Sequence, residues 1–284
     1  MTQSKHQIIL LNGEMASGKS TTLQFLVRKL QQDSSGGDYG TSTKTIDFVG
    51  FIQPSVFAWD NKPPCTNTSK TTDTSCSNHS LESLVLNETH RKAIEIHFID
   101  SSKEGSQIFT LATLNPEFKS LDHEPSSNMI KVMEENIKSK RPQQPRWLFN
   151  NEVFEKIKTL MLSSMEHLTR NASNSKSGER KIVVMVDELG WLEMEGKGHW
   201  PTVELLLSQY GKLENIVWGF TVRSTLREDH TQRMKQTFKN CANICEDELD
   251  LHIFELKKSN PTQEKADNFD QVLEQVLACI KKSE

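Results

Sequence analysis

Lys19, Ser20, Asp187 and Glu188 are the residues whose types and spacing could carry chemistry. Gly13-Glu14-Met15-Ala16-Ser17-Gly18-Lys19-Ser20 is a full match to G-x-x-x-x-G-K-[ST]. In that pattern the glycines let the backbone approach phosphate oxygens, and the loop amides face the anion with the positive end of the next helix. The lysine reaches the β- and γ-phosphates, and the hydroxyl ligates Mg²⁺. The expected nucleotide-binding residues are therefore Gly13, Glu14, Met15, Ala16, Ser17, Gly18, Lys19, Ser20 and Thr21, with Ser20 also a Mg²⁺ ligand. A glycine-rich turn that merely capped a helix would not need Lys19.

Asp187 and Glu188 follow the apolar run Ile182-Val183-Val184-Met185-Val186. A strand-terminal aspartate in a chain with a phosphate loop is the expected second Mg²⁺ partner, often through water. The adjacent Glu188 can orient an attacking water and take its proton. Its alternatives are a partner for the metal's waters or a cap of the next turn. Glu193 can hydrogen-bond a loop amide or a metal-bound water. Trp191 and Trp200 are expected to pack rather than to stack on a base, and Lys197 and His199 to be solvated.

These residues need particular elements behind them. Ile8-Ile9-Leu10-Leu11 reads as a strand buried on both faces, and Leu23, Leu26, Val27 and Leu30 give a helix over 20–32. Further strands are expected at 46–56, 93–99, 107–114, 182–186, 216–222 and 251–256, the second and third forming a hairpin. Helices are expected at 151–168, 200–210 and 226–238, from Pro261 onward, and in short form near 128–139. Alternating strand and helix predicts an α/β fold of the phosphate-loop type: a mostly parallel sheet with helices on both faces. Ligands of such sheets bind beyond the carboxyl ends of the strands, where both motifs fall. One domain is expected over 1–284, with polar loop insertions at about 59–89 and 115–146.

A net charge of −4 over 284 residues suggests neither a nucleic-acid nor a membrane partner, and a protein partner cannot be read from the chain. No apolar run reaches the ~18 residues of a membrane span. The first apolar run leads straight into the phosphate loop, so no signal peptide is expected, and five scattered cysteines suit the cytoplasm.

The order of motifs resembles the small nucleoside-triphosphatases first described in thermophiles, the cancer-related nucleoside-triphosphatase family. Asp187-Glu188-Leu189-Gly190-Trp191-Leu192-Glu193 resembles its D-E-[IL]-G-x-[LM]-E, with Trp191 where proline is usual. "VGFIQPSVF", "EIHFIDSSKEGSQIFTLAT", "RWLFNNEVFEKI", "MEGKGHWPTVELLL" and "GFTVRSTL" resemble further family stretches in order, with His199 as an extra residue. The resemblance implies Mg²⁺-dependent hydrolysis of nucleoside triphosphates with broad base tolerance and low turnover. It puts Lys19, Ser20, Asp187 and Glu188 in the site. It also matches Arg223 to an arginine that could contact the γ-phosphate, the alternative being a structural salt bridge.

Two other functions compete. A kinase would transfer the γ-phosphoryl to a small molecule, with Lys138, Lys140, Arg141 and Arg146 as a basic lid. A nucleotide-dependent switch would act on a partner protein. The chain has no N-K-x-D guanine motif, since Asn61-Lys62-Pro63-Pro64 lacks the aspartate, so no strong base specificity is expected. The Asp187-Glu188 pair favours water as the acceptor.

Overall fold

The computed structural model describes residues 5–14, 17–35, 45–53, 55–57, 91–103, 105–115, 147–174, 180–256 and 264–282. Two compact units divide the chain: residues 1–54, 96–109 and 152–284 form the larger, and 55–95 with 110–151 the smaller.

The larger unit is an α/β sheet whose centre is parallel. Strands β1 (His6–Gly13), β2 (Ile46–Ile52), β7 (Lys181–Leu189), β8 (Ile216–Arg223) and β9 (Leu249–Leu256) lie in the order β2-β7-β8-β1-β9, every pair parallel. Strand β4 (Arg91–Asp100) runs antiparallel beside β2, and β5 (Ser106–Leu114) lies next to β4. In the smaller unit, β5 pairs antiparallel with β6 (Trp147–Phe149), and β4 with β3 (Ser55–Phe57).

Alternation along the strands divides the side chains between two faces. On one face, Ile9, Leu11, Val183, Met185 and Val217 pack with Leu23, Leu26, Val27 and Leu30 of α1 (Lys19–Ser35). Val272, Val276 and Ile280 of α6 (Glu264–Lys282) complete that core. Each such aliphatic side chain contributes ~1.5–3 kcal/mol on burial. The other face presents Phe51 and Trp218, which meet His199 and Phe238. It is covered by α2 (Asn151–Asn174), α4 (Trp200–Tyr210) and α5 (Arg227–Thr237), whose apolar residues Met161, Trp200 and Met234 are fully buried. Ser164 of α2 donates to the buried Asp100 at the end of β4.

Several boundaries differ from the sequence expectation. The single strand expected over 46–56 is two strands, β2 ending at Ile52 and β3 starting at Ser55, and the proline between them in sequence has no N–H for a ladder. Strand β7 runs past Val186 to Leu189. The helix at 151 continues to Asn174. The helix over 226–238 begins as a 3₁₀ turn at Ser224–Leu226 and widens into a π turn at Phe238–Ala242, closed by Asn243 at φ 55°. The last helix is described from Glu264. The helix near 128–139 and nearly all of both polar insertions lie outside the described residues. No helix among the described residues is long and apolar enough to cross a membrane.

Candidate functional site

The phosphate-loop residues lie where β1 ends and α1 begins. Gly13 is the last residue of β1, and a side chain there would meet Ser17 Oγ at 2.3 Å and the Leu256 carbonyl at 2.9 Å. Gly18 has φ +90°, a conformation other residues rarely adopt. Lys19 opens the helix and bends back over the loop. Its ammonium donates to the carbonyls of Gly13 at 2.9 Å and Glu14 at 2.8 Å. Ser17 Oγ is buried and has no hydrogen-bond partner among the described residues. A loop shaped by close backbone approach, with a spare hydroxyl and a cation over it, fits a phosphate chain. Met15 and Ala16 lie outside the described residues, and Thr21 is exposed.

The acidic pair is set by a bulge. Val186 pairs with Phe220 and Leu189 with Val222, so Asp187 and Glu188 together oppose the single residue Thr221. The buried Thr221 hydroxyl donates to Asp187 Oδ1 at 2.5 Å and accepts the Glu188 N–H at 2.7 Å. Glu188 takes φ +60°, a strained value for a residue with a side chain. Strand β7 thus reaches Leu189 because the bulge carries it through the acids.

Asp187 is buried and held from both sides. The Gln53 N–H donates to Asp187 Oδ2 at 2.8 Å, and the Gln53 side-chain amide to the Asp187 carbonyl at 3.2 Å. Burial pushes the Asp187 carboxyl above the usual carboxylate range, against the hydrogen bonds from Thr221, Gln53 and Ser20. The Ser20 hydroxyl also reaches the Gln53 carbonyl, at 3.5 Å. The Ser20 hydroxyl and the Asp187 carboxylate, which both bond to Gln53, are an all-oxygen donor set, which suits a hard cation such as Mg²⁺.

Glu188 and Arg223 form an ion pair, Arg223 Nη2 to Glu188 Oε1 at 2.7 Å, with both side chains partly exposed. Arg223 stands opposite Gly13 in the β1–β8 register. Burial lowers the Lys19 pKa, Glu188 and Asp187 raise it, and Arg223 lowers it again. Glu188, Asp187 and Arg223 therefore all act on Lys19, and Glu188 and Arg223 on each other, beside the carboxyl ends of β7 and β8. Of the two readings for Arg223, the salt bridge is the contact present.

The loop after Glu188 is tied to the core. Glu193, on the short helix α3 (Trp191–Met194), is buried and accepts the N–H groups of Gly190 at 2.8 Å and His199 at 2.9 Å. Burial raises its pKa, and those two N–H groups oppose the rise. Buried His230 donates to the Gly190 carbonyl at 3.2 Å, and Arg233 to that of Met194. Two sequence expectations fail here. Trp191 does not pack: it is 65% exposed, whereas Trp200 is fully buried. His199 is not solvated: its ring lies against Phe51 and Phe154, at 4.2 and 4.7 Å between centroids. Burial lowers its pKa to about 3. His199 thus fills the core under the sheet, and Lys197 remains at the surface, paired with Glu195.

Sequence reasoning missed Thr221 and Gln53. Each is an ordinary polar residue at a strand end, and only the strand order brings them to Asp187. Compared with family models, with curated proteins and with solved structures, the chain finds no match in any of the three.

Proposed function

We propose that the chain is a Mg²⁺-dependent nucleoside-triphosphatase that hydrolyses the γ-phosphate of ATP, GTP and other nucleoside triphosphates with low base specificity. The observation that carries this reading is the convergence of Lys19, Asp187, Glu188 and Arg223 on one charge cluster beside the glycine loop. The motif order resembling the thermophile-type nucleoside-triphosphatases supports the same reading. Free thiols at Cys241, Cys245 and Cys279 suit a reducing compartment, and the cytoplasm is the proposed place of action.

In this reading the loop amides and Lys19 bind the β- and γ-phosphates. Ser20 and Asp187 would hold Mg²⁺, which when bound neutralises charge on the phosphate oxygens. Glu188 orients a water toward the γ-phosphorus. As the new P–O bond forms, the bridging bond to the β-phosphate breaks and its electrons leave with the nucleoside diphosphate. The Glu188 carboxylate accepts the water proton. Arg223 offsets charge on the γ-phosphate oxygens.

Lys138, Lys140, Arg141 and Arg146, the expected kinase lid, lie outside the described residues. The test is phosphate release from each common nucleoside triphosphate, with and without Mg²⁺ and with a panel of small-molecule acceptors. Mg²⁺-dependent release without an acceptor supports hydrolysis. Transfer that displaces release would replace it with the kinase reading, and no release from any triphosphate would overturn it.

A further inference from the structure

We infer that Glu188 and Arg223 are an exchangeable pair that makes the site discriminate nucleoside triphosphates from diphosphates. The inference rests on the phosphate-loop reading above and assigns that site its specificity.

The pair is close and accessible: the contact is 2.7 Å, and the side chains are 32% exposed at Arg223 and 26% at Glu188. Its two backbones are fixed. Arg223 is in register with Gly13, the first residue of the loop, and the Glu188 N–H is held by Thr221. Only side chains are therefore free to change partner. A guanidinium has a planar fork of donors that fits a carboxylate or a phosphate equally well, but one Arg223 cannot serve both fully. The γ-phosphate supplies more negative charge than a single carboxylate and would lie against the acidic end of β7.

A diphosphate ends within the loop and leaves Arg223 on Glu188. A triphosphate brings its terminal oxygens to Arg223, which moves to them, and the Glu188 carboxylate is released to a water. The same exchange thus selects the substrate and frees the base. Breaking the pair offsets part of the gain, so Glu188 restrains triphosphate affinity through Arg223 as well as by direct repulsion.

The test compares the affinities of MgADP and of the Mg²⁺ complex of adenylyl imidodiphosphate in wild type, Arg223→Gln, Glu188→Gln and the double variant. Arg223→Gln should weaken the triphosphate analogue by ~10-fold or more, the loss expected for one charge-assisted hydrogen bond, and leave MgADP within about twofold. Retained MgADP binding also reports an intact fold. Glu188→Gln should strengthen the analogue alone, and that gain should shrink in the Arg223→Gln background. Two results overturn the exchange: equal loss of both nucleotides in Arg223→Gln, or a Glu188→Gln gain of the same size with and without Arg223. Lys19→Ala separates this from the underlying reading. If it binds both nucleotides like wild type, the phosphate-loop assignment itself has failed, and the inference with it.

Discussion

The hydroxyl of Thr221 and the carboxylate of Asp187 meet at 2.5 Å, and the same hydroxyl accepts the N–H of Glu188 at 2.7 Å. One residue of β8 therefore fixes both acids of β7 across a bulge. The two neighbouring acids have different tasks in the proposed mechanism, and a regular ladder would turn them to opposite faces of the sheet. The bulge and its threonine keep both at the carboxyl end of the strand.

Thr221→Val keeps the side-chain shape but removes a donor to Asp187 and an acceptor for the Glu188 N–H. Both groups are then left short of a partner away from water, so stability should fall by ~1–3 kcal/mol. Thr221→Ser should recover most of it. Urea denaturation of the three proteins checks this, and a valine variant as stable as wild type would show that the hydroxyl does not hold the bulge.

His199 gives the fold a pH dependence whose sign follows from its burial. The ring has a pKa of about 3 in the folded chain and an ordinary value near 6.5 when unfolded. The unfolded chain therefore binds the extra proton first as pH drops. This stability is fully present above ~6.5 and is lost as pH falls from there toward 3, at about 1.4 kcal/mol per pH unit. His199→Phe, which also removes two ring nitrogens without a hydrogen-bond partner among the described residues, should abolish that part of the slope. Denaturation at pH ~7.5 and ~5.0 should show wild type losing about 2 kcal/mol more than the variant. Equal losses would mean that the ring is protonated in the fold.

Glu193 should act on the loop rather than on chemistry. Glu193→Gln keeps one acceptor but turns an NH₂ toward one of the two N–H groups that the carboxylate accepts. The variant should exchange the Gly190 and His199 amide hydrogens faster and lose ~1–3 kcal/mol. Unchanged protection at both amides would remove Glu193 as the staple.

What the sequence made legible was local. The glycine loop, Lys19 and Ser20 lie within eight consecutive residues, and the apolar runs on either side announce the strand and helix that hold them. Asp187 and Glu188 were legible from the apolar run before them. Thr221 and Gln53 were not, because they stand 34 and 134 residues from Asp187 and meet it only through strand order and the bulge. The burial of His199 and the exposure of Trp191 are not legible in the sequence for a related reason. In a loop without period, local pattern does not say which side chain turns inward, and here Glu193, His230 and Arg233 decide it.

Ser20→Ala and Asp187→Asn each remove oxygen chemistry from the proposed cation site. Both variants should require more Mg²⁺ for the same phosphate release, shifting the half-saturating concentration upward by ~10-fold or more. A Mg²⁺ titration superimposable on wild type in either variant would contradict that residue's assignment.

In the proposed mechanism Glu188 takes the proton of the attacking water. Glu188→Gln keeps the shape and one acceptor oxygen but not the basicity. The measurement is paired: nucleotide affinity and single-turnover hydrolysis on the same preparation of the variant and of wild type. The triphosphate should still bind with Mg²⁺, at least as tightly as before, while the hydrolysis step slows by a factor of ~10²–10⁴. Near-normal hydrolysis, or a slower rate explained wholly by lost binding, would contradict it.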